Sequence, residues 1–125
     1  MKDKLINLMK NAYDPYYNFP VSCILVTNDL KEFSGVNVGN ANGTSVCAER
    51  NAIHNAIASG YSKGNFKEIY VMAKKITVPC FACRQVFTEF FTDKMIVIAM
   101  DQDGNEKKYT VGELCPYGFT KEDLI

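Results

Sequence analysis

The sequence has no tryptophan, a single histidine and no surplus of either charge, with 14 Lys and Arg against 14 Asp and Glu in 125 residues. A protein that grips a nucleic-acid backbone normally shows a positive excess, so the balance argues for a small-molecule substrate and against RNA or DNA. No apolar run approaches the length of a membrane span. The opening stretch, Met1 to Asp14, is punctuated by Lys and Asp and does not read as an export signal. Internal repeats, low-complexity segments and linkers are also missing, so one domain over residues 1–125, in the cytoplasm, is expected. The lack of Trp is not a lack of aromatics, since 7 Tyr and 8 Phe are present. Five Cys without an export signal point to a reducing compartment and to metal chemistry rather than disulfides.

Two segments concentrate that chemistry: Cys47-Ala48-Glu49-Arg50 and Pro79-Cys80-Phe81-Ala82-Cys83-Arg84-Gln85. A catalytic zinc takes three protein ligands and keeps a fourth position for water, and Cys47, Cys80 and Cys83 supply three thiolates. A zinc ion acidifies that water toward neutral pH. A carboxylate that is not a ligand must then carry protons, and Glu49, two residues after a ligand, fits. Other readings of the same residues are a redox pair at Cys80 and Cys83, a closed structural zinc site completed by Cys23 or Cys115, and plain buried cysteines. A closed site has no use for Glu49. His54 lies seven residues beyond Cys47, about 10 Å along a helix, too far to join the same ligand set. It reads as structural or surface.

Apolar spacing predicts a helix over 2–12, stopped before Pro15. The aromatic loop Asp14 to Pro20 reads, from spacing alone, as a cover over one end of the core. A sharper reading has its rings lining a pocket for a flat ring. Strands are expected over Val21 to Thr27 and Leu30 to Val38, paired as a hairpin. A helix should begin near Cys47 and end at Gly60, with Cys47 and Glu49 in its first turn, where the positive dipole end favours thiolates. A strand over Lys67 to Ala73 and a helix over Cys80 to Phe91 follow, with Pro79 tolerated at the helix start. Met95 to Met100 and Lys107 to Tyr109 complete the strands, with a helical turn at Val111 to Leu114. This order predicts a three-layer α/β/α sandwich around a mixed five-stranded sheet, antiparallel at first and parallel where helices connect the strands. Arg50 and Arg84 directly follow ligands; Arg50 is expected to offset the thiolate charge, and Arg84 is left open.

The order of ligand, Glu offset and Pro-Cys-x-x-Cys matches the signature of zinc-dependent nucleobase deaminases. The chain as a whole resembles the small, three-cysteine, homotetrameric cytidine deaminases. The resemblance runs from Tyr13-Asp14-Pro15-Tyr16-Tyr17-Asn18-Phe19-Pro20-Val21, through both cysteine segments, to Leu114-Cys115-Pro116-Tyr117-Gly118-Phe119 with Glu122-Asp123-Leu124. It implies one Zn²⁺ per subunit, a homotetramer, and hydrolytic deamination of cytidine and deoxycytidine in pyrimidine salvage. It further implies that Glu49 orients the ring N3 and shuttles protons while activated water attacks C4. Phe19 and Ala48 would contact the base and Asn37 a sugar hydroxyl. Arg50 would bond the thiolates, and Phe119 would reach the site of a neighbouring subunit.

The loop Asn37-Val38-Gly39-Asn40-Ala41-Asn42-Gly43 departs from the family pattern. Gly39 stands where a sugar-binding Glu is expected, the aromatic further on is missing, and the loop is one residue short. Loss of a charged hydrogen bond costs about 1.5–3 kcal/mol, or about ten-fold to more than a hundred-fold in binding, unless another group replaces it. Blasticidin S deaminases share this lack, so blasticidin S or another modified cytosine nucleoside is an alternative substrate. A catalytically silent zinc-binding member is a second alternative. Phe81 replaces a usual Gly between the cysteines and is expected to crowd the site.

Overall fold

The computed structural model describes residues 1–125. Its sheet has five strands in the order β2-β1-β3-β4-β5. In the chain they are β1 (Ser22–Thr27), β2 (Glu32–Val36), β3 (Phe66–Met72), β4 (Ile96–Met100) and β5 (Glu106–Thr110). The helices are α1 (Lys2–Met9), α2 (Ala48–Ala58), α3 (Phe81–Phe90) and the short α4 (Val111–Leu114), with a 3₁₀ turn at Lys121–Leu124.

All six residues of β1 are buried, because helices cover both faces of the sheet. Alternation along the strand divides them. Ile24 and Val26 join Leu5, Met9, Met72 and Met100 under α1. Cys23 and Leu25 join Val71, Val97 and the apolar stripes of α2 and α3 on the other face. The result is the expected three-layer sandwich. Pairing is antiparallel for β1 with β2 and with β3, parallel for β3 with β4, and antiparallel for β4 with β5. The parallel pair is the one whose crossover is α3. The helix α2 also joins two strands of the same direction, β2 and β3, but β1 lies between them.

Three boundaries differ from expectation for local reasons. Helix α1 stops at Met9 because the chain must extend so that Tyr13 can bridge Val38, with Tyr13 N–H donating to Asn37 O (3.0 Å) and Gly39 N–H to Tyr13 O (2.6 Å). Strand β2 starts at Glu32, not Leu30, because Leu30 takes φ +68° in the hairpin turn. That turn is held by Leu30 N–H to Thr27 O and by the Thr27 hydroxyl on Asp29. The aromatic loop does not cap the core: Tyr16 and Tyr17 are exposed, and Phe19 is 46% exposed.

What places the site is the seat of α2 on the edge strand β2. Gly35 makes this possible. A Cβ there would strike the Ala48 carbonyl oxygen and lie 2.5 Å from Ala52 N. Asn51 Nδ2 donates to Val36 O (2.8 Å) and Asn55 Nδ2 to Ser34 O (3.3 Å), so the helix also satisfies carbonyls along the sheet edge. No helix is long and apolar enough to cross a membrane.

Candidate metal centre

The cysteine segments meet at the starts of α2 and α3. Cys47 is the N-cap of α2 and Cys80 the N-cap of α3, both extended (φ −69°, ψ 154° and φ −65°, ψ 162°). Both therefore sit one residue before the helix, not in its first turn. Cys83 lies one turn into α3 and is fully buried. The three Sγ atoms lie within 4.8 Å of one another, and Cys47 and Cys80 are 3.7 Å apart. Tetrahedral zinc with Zn–S near 2.3 Å sets sulfurs about 3.8 Å apart, so the cluster fits such an ion. No fourth His, Cys, Asp or Glu joins it. Cys23 is buried in the main core and Cys115 stands apart, so neither closes the site. Three thiols on two helix starts also exceed what a redox pair needs.

The electrostatics favour a thiolate at Cys47. A hydrogen bond with Cys83, helped by Arg50, lowers the Cys47 thiol to about 5. The same hydrogen bond, together with burial, pushes Cys83 up in the absence of a metal. Arg50 Nη2 donates to Cys47 Sγ at 3.4 Å, while its buried Nε finds no partner. That guanidinium is held against sulfur, where its charge would offset the excess negative charge of three thiolates holding Zn²⁺. Arg50→Gln should weaken zinc binding about 10–100-fold, read by chelator competition. Arg84 has a different task. Its Nε donates to Pro79 O (2.7 Å) and its Nη1 to Leu114 O (3.4 Å), tying the start of α3 to α4.

Glu49 is only 4% exposed, and burial, reinforced by the charge of Cys47, pushes its carboxyl up to about 7. It lines a cavity of about 190 Å³ together with Cys47, Ala48 and Cys80. Val71, Ala73 and Val78 give the cavity apolar walls, and Phe19 and Asn37 stand at its other side. The cavity thus opens at the C-terminal end of β3, between two helix starts. A carboxyl poised near neutrality beside a three-thiolate metal site can take a proton from water and pass it on.

A family model for the cytidine and deoxycytidylate deaminase zinc-binding region matches residues 1–99. The chain belongs to this deaminase family. The cytidine deaminase of Mycoplasma genitalium is 36% identical over 116 residues, covering 91% of this chain and 88% of the relative. That of Sporosarcina psychrophila is 38% identical, covering 92% and 85%. The crystal structure of the Burkholderia pseudomallei cytidine deaminase superposes with a TM-score of 0.90 at 38% identity, covering 94% of each chain. As in the deaminase family, zinc is the cofactor.

Of the residues singled out in the sequence, Phe19, Asn37, Cys47, Ala48, Glu49 and Cys80 share the cavity, and Cys83 completes the sulfur cluster behind it. Asn37 does so as a brace: its Oδ1 accepts from Val21 N–H (2.8 Å) and its Nδ2 donates to Phe19 O (2.8 Å), leaving one N–H free. Phe119 is 56% exposed and does not line the cavity of its own chain. His54 is exposed on α2. Phe81 does not crowd the site. Its ring is 78% exposed beneath the Arg84 guanidinium, 4.4 Å away. Phe81→Ala should therefore cost about 0.5–1 kcal/mol of stability, the worth of an exposed cation–π contact, and leave KM unchanged.

Sequence reasoning missed Gln85. Its Nε2 donates to Phe119 O (2.7 Å) and its Oε1 accepts from Phe119 N–H (3.0 Å), so one side-chain amide clamps the tail to the zinc helix α3. The signal was its place two residues after the last ligand.

Proposed function

We propose that this chain deaminates cytidine and deoxycytidine to uridine and deoxyuridine by hydrolysis, with zinc held by Cys47, Cys80 and Cys83 and protons carried by Glu49. The observation that carries this reading is a buried, non-ligating carboxyl and three converging sulfurs at one end of a small apolar cavity. Zinc supplies, when bound, an acidified water and a positive charge beside it. Glu49 takes a proton from the attacking water and delivers it to N3 of the ring, where it remains in the product, and then takes the second proton from the new C4 hydroxyl and delivers it to the departing amino group. The water oxygen bonds to C4, the C4–N bond breaks, and ammonia leaves. Arg50 holds the Cys47 thiolate in place. Phe19, Ala48, Val71 and Val78 flank the flat base, and Asn37 presents its free N–H toward the sugar.

Relatives named cytidine deaminase favour nucleosides over blasticidin S. Glu49, buried beside Cys47, speaks against a silent member. The same reading takes residues 1–125 as one deaminase domain, cytoplasmic, homotetrameric and serving pyrimidine salvage. In it Phe119 is offered across a subunit boundary, in keeping with an exposed ring on a clamped backbone. Light scattering should give a tetramer.

The test is steady-state turnover of cytidine, deoxycytidine and blasticidin S by protein of known zinc content. Both nucleosides should be deaminated by loaded protein, lose turnover on chelation and regain it with zinc. Loaded protein inert toward both nucleosides overturns the proposal, and strong turnover of blasticidin S with weak turnover of cytidine hands the site to the alternative.

A further inference from the structure

Beside the zinc cavity lies a second hollow of about 130 Å³, lined by Asp14, Tyr17, Gly39, Val46 and others, which shares Asn37 and Cys47 with the first. The two therefore adjoin. Asp14 is the only carboxylate lining the second hollow. It is brought there by the bridge between Tyr13 and Val38, which lays the Asp14 loop along residues 37–39. Its position is fixed from both oxygens: Oδ1 accepts from Tyr17 N–H (3.2 Å) and Oδ2 from Phe19 N–H (3.1 Å). An ionised carboxylate has about four acceptor positions, so each oxygen keeps capacity for a further donor. The group is thus held still and remains under-used.

Gly39 faces it. A Cβ at this position would lie 3.4 Å from Asp14 Oδ1 and 3.3 Å from Tyr16 Cδ2. Gly39 is not required by its backbone, since it is not among the positive-φ residues. Any side chain at 39 would press its Cβ on the Tyr16 ring and on the Asp14 carboxylate. Glycine leaves this side of the Asp14 carboxylate uncovered.

We propose that Asp14 is a sugar-recognition residue, whose carboxylate accepts hydrogen bonds from the ribose hydroxyls of the nucleoside whose base occupies the zinc cavity. This rests on the cytidine deaminase reading above. With the base between apolar walls, the remainder of the nucleoside extends past Asn37 into the adjoining hollow. There an acceptor-only group calls for donors, and hydroxyls are what a ribose offers. The carboxylate thus stands in for the acid absent at 39.

The test compares cytidine with 2′,3′-dideoxycytidine, which lacks both ring hydroxyls, in zinc-loaded wild type, Asp14→Ala and Asp14→Asn. The Asn variant keeps an acceptor for one of the two loop N–H groups and so disturbs the loop less than Ala; thermal melting of both variants reads any loss of fold. In both variants kcat/KM for cytidine should fall about 10–100-fold, chiefly through KM, the worth of a charged hydrogen bond. Dideoxycytidine should be nearly indifferent, so the preference for cytidine collapses. A structural role would lower both substrates alike. An unchanged cytidine-to-dideoxycytidine ratio in Asp14→Asn overturns the assignment while leaving the deaminase reading intact. A wild type that turns over neither cytidine nor deoxycytidine overturns both.

Discussion

Glu49→Gln is expected to lower kcat by at least about 10²–10⁴-fold, the usual worth of a positioned acid–base group, with zinc content unchanged. Glutamine has nearly the same shape and leaves the packing of α2 undisturbed, but it cannot carry a proton. The surroundings of Glu49 explain the size of the effect. The side chain is 4% exposed, and its carboxyl is held up to about 7, so both protonation states are within reach near neutral pH. A carboxyl in water would be almost wholly ionised there and a poor donor. Loss of cytidine absorbance follows the rate, and metal analysis on the same sample separates a chemical defect from a lost ion. A variant that keeps more than a tenth of wild-type turnover would remove Glu49 from its assigned task.

The second large effect is mechanical. Gly35→Val should destabilise the protein by about 1–3 kcal/mol or more, the cost of overpacking a well-packed interior. The obstruction is backbone, Ala48 O and Ala52 N, which cannot turn aside as a flexible side chain would. Helix α2 must therefore move off β2. Cys47 and Glu49 travel with it, so thermal stability, zinc affinity and kcat should fall together. Calorimetry of loaded and stripped protein reads the first, and chelator competition the second. If stability falls and zinc affinity does not, the start of α2 is positioned by something other than its seat on Gly35.

The metal centre was legible because its chemistry restricts both donor type and spacing. Cys47, Cys80, Cys83 and Glu49 could be read as a set before any fold was known. Buried strands were equally plain, since β1 is apolar on both faces. Contacts that depend on tertiary register were hidden. Asp14 and Gly39 are far apart in sequence and meet only through the bridge of Tyr13 with Val38. Side-chain direction was hidden too. Phe81 sits between two ligands in sequence, yet its place at the start of α3 turns it outward under Arg84. Gln85 is marked only by its place two residues after the last cysteine, and its hold on Phe119 needs the tail folded back to α3. Gly35, inside a strand, carried a sequence cue of its own, because a strand glycine often marks close backbone approach.

Cys47 and Cys80 are the N-caps of α2 and α3, and neither makes a side-chain capping hydrogen bond. Both helices thus begin on a residue whose side chain is committed to sulfur chemistry, where Ser, Thr, Asp or Asn would ordinarily satisfy the first free N–H groups. Metal held by these cysteines would therefore also order two helix ends. The ion would tie together two helix starts that no side chain caps, and amide exchange in these first turns would then gauge how much of the protein carries metal.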